Sequence, residues 1–260
     1  MSWKVALRCG IGSIVLLTTG VLQASEVFRL DFDSFWTRVE NHRFLSIDGL
    51  EVTTGLGADG SRALRATYRG SPIGSQRMVH AFDLGKAIRT TATLGYSVRF
   101  CPGFDFAEGG KLHGLGPRSV ASGGLPVENG AWSARVVFTK GGGLATYVYH
   151  LGQQGRFGDV VRAEGVALVP GRWYRIQLNV VLNDPDQANG RVAIDLDGVR
   201  VADHEGLTFW RPGAPSYAIE RFLFSTFYGG NSERFAPKDG RGVFVSTCAD
   251  FDDFVVTADD

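Results

Sequence analysis

Residues 104–117 read FDFAEGGKLHGLGP, placing one lysine, Lys111, between a glycine pair and a second glycine-rich turn. Gly109, Gly110, Gly114 and Gly116 lack a Cβ, so the backbone here can take positive φ and come close to another chain or a ligand. The stretch reads as a shaped, non-repetitive edge on which Lys111 stands. In isolation a Gly-Gly-Lys is more often a surface loop with a solvated lysine, so the flanking sequence decides what this one is.

Working outward, helical periodicity is nearly absent beyond residue 25. Short alternating runs bounded by Gly, Pro, Asn and Asp predict strands at 26–32, 63–68, 76–82, 91–100, 132–138, 145–149, 173–182, 191–196, 221–227 and 252–256. About ten strands at this turn spacing make an antiparallel sandwich or jelly roll. Asp197-Gly198 is a hairpin signal, and 184–190 (DPDQANG) is a loop. The two ends, FRLDFD at 28–33 and DFDDFVV at 250–256, suit neighbouring strands that close the sandwich. No linker or repeat divides residues 25–260, which read as one domain.

Residues 1–24 have the form of an export leader: Lys4 and Arg8 precede an apolar run from Ile11 to Leu22, with a cut expected after Ala24. Leu22 is larger than the usual residue three positions from such a cut, which leaves an uncleaved anchor as the alternative; the run is shorter than the roughly 20 residues of a spanning helix, which favours the cleaved leader. Removal of the leader predicts a secreted or periplasmic protein with no membrane association. Basic and acidic residues number 27 each, so no overall field draws nucleic acid, and a polyanion would have to be held by a local cluster. Cys101 and Cys248 remain after the leader; in an oxidising compartment they pair, or they stay as buried thiols, and their spacing fits no metal site.

Several residues could carry chemistry. In ATYVYH (145–150) the two-residue period puts Tyr147 and Tyr149 on one face of a strand, with Val148 on the other. In WSARVVF (132–138) Arg135 shares a face with Ser133. Gln76 and Arg77 offer an amide and a guanidinium, and His113 and His150 flank the motifs. Singly, each is ordinary for a β protein. Gathered around Lys111, they form a groove for an acidic sugar, because guanidinium and carboxylate pair in a two-pronged fashion. Asp31, Asp33, Asp250 and Asp252 are candidates for a structural calcium ion, with Asp31 and Asp252 foremost, although solvated strand ends explain them as well. The paired carboxylates of glycoside hydrolysis, the Gly-x-Ser-x-Gly elbow and a phosphate-binding loop are all missing.

Taken in order, FDFAEGGKLHGLGP, WSARVVF, ATYVYH, GRWYRIQLNVVLN (171–183) and FSTFYGG (224–230) resemble the alginate and glucuronan lyases of polysaccharide lyase families 14 and 20. The resemblance implies an antiparallel β-jelly roll, of the concanavalin A-like sandwich type, whose concave sheet binds a uronate polymer and cleaves it by β-elimination. It implies that Lys111 is the essential lysine and that Tyr147 and Tyr149 are the tyrosine pair. This sequence departs from the family at His113, where proline is frequent, and in a longer stretch over 117–124.

The residues suit that chemistry. Loss of the C5 proton of a uronate is opposed by its ionised carboxylate, so a cation or strong donor, from Lys111, Arg135 or Gln76, has to neutralise it. Tyr and Lys both have reference pKa values near 10 and act as bases only when positive charge or burial lowers them. Tyr149 is the expected proton-transfer residue and Lys111 the charge stabiliser or base, with Arg77, Arg135, His113 and His150 as further substrate contacts. No cofactor is required. A carbohydrate-binding jelly roll without catalysis is the alternative, and retention of the lysine together with both tyrosines favours the enzyme.

Overall fold

The computed structural model describes residues 24–33 and 42–259; apart from Ala24, the expected leader lies outside them. Among the described residues no helix is long and apolar enough to cross a membrane. In chain order the strands are β1 (Ser25–Leu30), β2 (Leu50–Thr54), β3 (Arg62–Ser71), β4 (Gly74–Ser75), β5 (Met78–Ile88), β6 (Thr91–Phe100), β7 (Gly109–Gly116), β8 (Ser133–Thr139), β9 (Gly143–Tyr149), β10 (Asp159–Arg162), β11 (Trp173–Val181), β12 (Gly190–Leu196), β13 (Val199–Leu207), β14 (Ile219–Tyr228) and β15 (Ser246–Asp259). They build two antiparallel sheets, a β-jelly roll. The nine-stranded sheet runs β13-β12-β11-β6-β15-β3-β2, with β1 on β15 and β4 on β3, and the six-stranded sheet runs β10-β9-β8-β7-β14-β5.

Period-two patterning explains most of this. On β11, Tyr174, Ile176, Leu178 and Val180 are buried, and they meet Val98, Tyr96, Leu94 and Ala92 of β6 in register, so one face of both strands enters the core together. Asp197 and Gly198, both at positive φ, form the tight turn between β12 and β13. The ends of the chain pair as β1 with β15. Between the sheets lies an aromatic core that includes Phe44, Phe82, Phe222, Phe224, Phe251 and Phe254.

The stretch expected to be a glycine-rich turn is instead strand β7, in the interior of the six-stranded sheet between β8 and β14. Of its four glycines only Gly109 has positive φ, at 119°. Gly110 and Gly114 serve close approach: a Cβ at 110 would strike the Phe138 ring and the Phe227 carbonyl, and one at 114 the Ala134 carbonyl. β7 also carries a bulge. Between the pairs Lys111–Val137 and Gly114–Arg135, two residues of β7 face one of β8, so Leu112 and His113 both turn inward and are fully buried.

Strands β2, β4, β10 and β13 were not legible. β10 is four residues long, and β13 is an edge strand whose Asp203 and Glu205 both lie against Arg191 of β12, a charge density that hides the alternation. Cys101, just past β6, is bonded to Cys248 of β15 with Cα atoms 5.3 Å apart, which selects the disulfide from the two alternatives.

The acidic ends divide: Asp33 accepts from the Arg62 amide and Asp252 from the adjacent Ser61 Oγ, and burial, then the charges of Asp253 and Asp33, raises the Asp252 pKa to about 6. Asp250 is buried and accepts from Arg65 Nε and Arg99 Nη2, both at 2.8 Å, so it is an ion-pair centre rather than a calcium ligand. Asp31 accepts from the Asp33 amide, and Asp252 also from the Asp253 amide. Among the described residues no group of three or more His, Cys, Asp or Glu side chains is arranged to hold a metal ion.

Because β7 has no room at position 114, Gly114→Ala should destabilise the fold by about 1–3 kcal/mol, the usual cost of overpacking. Gly60→Ala, where a Cβ would meet nothing within 4 Å but φ is +88°, is the control for backbone strain alone. Chemical denaturation of both variants checks this, and equal losses would refute the steric account.

Candidate active site

β7, β8 and β9 are consecutive in the six-stranded sheet, so residues far apart in sequence share its outer face, the one turned away from the core. Arg135 pairs with Tyr147 and Ser133 with Tyr149 across β8–β9, while Lys111 pairs with Val137 across β7–β8. Lys111 spans Val137 and sets its Nζ 2.9 Å from the centroid of the Tyr147 ring. The Tyr147 and Tyr149 hydroxyls are 3.3 Å apart. Arg135 Nη1 donates to Ser133 Oγ at 2.6 Å, and Ser133 Oγ donates to the Ala121 carbonyl at 2.8 Å, which fixes the guanidinium beside the tyrosines.

The electrostatics separate the roles. Burial, then the Arg135 charge, holds the Lys111 amine well below its ordinary value, although the face of the Tyr147 ring favours the charged form. Burial lowers Arg135 to about 10, against the pull of Tyr149 and Tyr147, so it stays a cation at neutral pH. Burial, with the Tyr149 hydroxyl bond next, pushes Tyr147 above its usual value and keeps it a neutral donor. Among the described residues no carboxylate pairs with Lys111 or Arg135.

Tyr149 is 1% exposed. The chain between β7 and β8 folds over it, and the Gly124 amide donates to its hydroxyl at 2.9 Å. Tyr147 is only partly buried, so of the two tyrosines it is the one more open to the outer face.

The remaining expected contacts divide. Arg77 is exposed on the same outer face, its guanidinium 5.5 Å from the Phe227 ring centroid. Gln76 is not delivered to the groove: its Nε2 donates to the Thr67 carbonyl and its Oε1 accepts the Arg69 amide, so the amide staples β3 to the turn after β4. His113 is in the core, not the groove, because the bulge reverses its side. It is fully buried against Tyr96, Phe224, Phe251 and Phe254, accepts from the Ser225 amide, and is kept neutral by burial. His150 is 5% exposed, with Nε2 at 2.9 Å from Asp159 and Nδ1 accepting the Gly152 amide. It lines a cavity of about 300 Å³ with Gly124, Leu125, Pro126 and Arg156, which adjoins the tyrosine pair through the Gly124 bond to Tyr149.

Sequence reasoning missed three participants. Ser133 orients Arg135, and its place on the same strand face was the available signal. Phe227 stands next to Lys111 on β14. Gly124 covers Tyr149, and the longer stretch over 117–124 pointed to it.

Residues 59–247 match the family Polysaccharide lyase 14, and the chain belongs to that family. Among solved structures it is similar to the alginate lyase Aly36B (20% identity, 88% of this chain and 95% of that one, TM-score 0.68), a variant of which is solved in complex with alginate tetrasaccharide. It is also similar to the alginate lyase of Aplysia kurodai (20%, 90% and 100%, 0.66) and the endo-β-1,4-glucuronan lyase of Trichoderma reesei (14%, 90% and 96%, 0.60). At these identities the likeness is one of fold. No curated protein matches.

A buried amine with a depressed pKa costs stability wherever it is protonated. Between that depressed value and the unfolded value of 10.5 the unfolded chain binds more protons, so stability rises with pH across that window. Lys111→Met should therefore be more stable at pH 7, by about 0.5–2 kcal/mol in chemical denaturation, and show less of that rise. A variant less stable at every pH would contradict the charge penalty.

Proposed function

We propose that this chain is an exported lyase that cleaves a 1,4-linked uronate polymer, alginate (polymannuronate) or glucuronan, by β-elimination. The observation that carries the reading is the sequestered Arg135 cation with the Lys111 amine near it, without a carboxylate partner among the described residues and beside two tyrosine hydroxyls. Sequestered charge of one sign is costly until a counter-charge arrives, and a uronate carboxylate supplies it. A neutral glucan would leave the cost in place. Export is supported by the leader and by the Cys101–Cys248 disulfide.

In this scheme Arg135, held by Ser133, pairs with the carboxylate of the reacting residue and stabilises the charge that spreads into it as the C5 proton leaves. Lys111, with part of its population as free amine, takes that proton. The electron pair of the C5–H bond forms the C4–C5 double bond, the C4–O bond breaks, and the departing oxygen takes a proton from the Tyr147 hydroxyl. Tyr149 accepts from the Gly124 amide and steadies Tyr147. Exchange with solvent returns the proton from Lys111 to Tyr147, and no water is consumed.

Incubation with alginate, polyglucuronate and a neutral glucan, followed by absorbance of the unsaturated product, tests the reading. A chromophore should form with a uronate polymer alone; binding without it would identify a carbohydrate-binding protein. Lys111→Arg keeps a charge but cannot act as a base, and should lower turnover by about 10²–10⁴-fold, as should Tyr147→Phe. The ascending limb of kcat/KM against pH should fall well below 10.5. Full activity in Lys111→Arg would reduce the lysine to a charge stabiliser.

Arg135→Ala should lower kcat/KM by at least tenfold, the loss of a charge-assisted bond. Steady-state kinetics on the best substrate reads it, and an unchanged value would remove Arg135 from the scheme.

A further inference from the structure

We infer that Arg77, Phe227 and Asn231 form a second uronate-binding subsite, about two sheet strands from Lys111. The inference rests on the uronate-polymer reading above. β5 and β14 pair Met78 with Thr226, so Arg77 comes opposite Phe227, and Phe227 pairs in turn with Lys111. The three side chains therefore lie in one row across β5, β14 and β7. With strands about 4.8 Å apart, Arg77 is about 10 Å from Lys111 along the row, a step of more than one sugar ring.

The composition of the row matches a uronate residue. Phe227 is partly exposed and offers a ring on which the apolar face of a pyranose can lie. Its position is set by Gly229: a Cβ there would come within 3.2 Å of the Phe227 ring and 3.8 Å of Lys111 Cγ. The Arg77 guanidinium hangs 5.5 Å from the same ring, and its Nη2 donates to Asn231 Oδ1 at 2.6 Å. Asn231 itself holds a left-handed backbone, φ 49°, one that asparagine tolerates better than most residues. One donor of the fork is thus used to orient the rest. Among the described residues no acid pairs with Arg77, so its remaining N–H groups are available to a carboxylate. Val79, 51% exposed on the same face, adds an apolar floor.

A chain gripped at Arg77 and cut beside Lys111 is held by a carboxylate it does not react through. Arg77 would therefore read charge at a distance, so that a chain with neutral sugars at that position binds more weakly.

The test uses calorimetry on the full protein in a Lys111→Ala background, with a uronate dimer, a uronate hexamer and a neutral glucose hexamer as probes. Adding Arg77→Ala should weaken the uronate hexamer about tenfold and leave the dimer, too short to span both positions, within about twofold. Arg77→Lys, which keeps charge but loses the fork, should recover part of the loss. An unchanged hexamer affinity, or equal weakening of dimer and hexamer, would overturn the subsite. If the wild-type protein makes no unsaturated product while the hexamer still depends on Arg77, the lyase reading falls and the subsite stands.

Discussion

The contact on which the rest depends is the close passage of β7 between β8 and β14. Positions 110 and 114 carry no side chain, so the Phe138 ring, the Phe227 carbonyl and the Ala134 carbonyl occupy the space a Cβ would need. That passage brings Lys111 within reach of Tyr147 two strands away. The bulge beside it then resets the alternation, so that Leu112 and His113 both close the core while Lys111 stays outside. A strand without the bulge would put a histidine next to the lysine and leave a hole among Phe224, Phe251 and Phe254.

The site carries an electrostatic cost. Burial, with the Arg135 charge second, depresses the pKa of Lys111, and burial alone lowers that of Arg135, against the pull of the two tyrosines. The same burial keeps Tyr147 protonated. An amine held toward its free form thus lies next to a hydroxyl held protonated, and neither state would exist on a solvated strand.

The sheet supplies rows and the loops supply cover. The longer connection from β7 to β8 places Gly124 on the Tyr149 hydroxyl, which withdraws one tyrosine from the surface and leaves the other facing the groove. At the far side, the turn after β14 sets Asn231 against Arg77. The difference at residue 117–124 thus bears on the site, whereas the difference at His113 belongs to the core.

Alternation and turn chemistry determined the all-β architecture, the shared face of Tyr147 and Tyr149 and the side of Arg135, because those are consequences of a two-residue period along one strand. Lys111 was singled out by its glycines, yet their meaning was read as turn rather than strand, since the lack of a Cβ suits both and only the neighbours Phe138 and Ala134 tell which. Gln76 and His113 were misplaced for related reasons: an amide can serve backbone as readily as substrate, and a bulge is set by the mismatch between two paired strands, which no single strand records. Which tyrosine is covered was likewise decided by the tertiary structure, because Gly124 reaches Tyr149 only once the chain has folded back over the sheet.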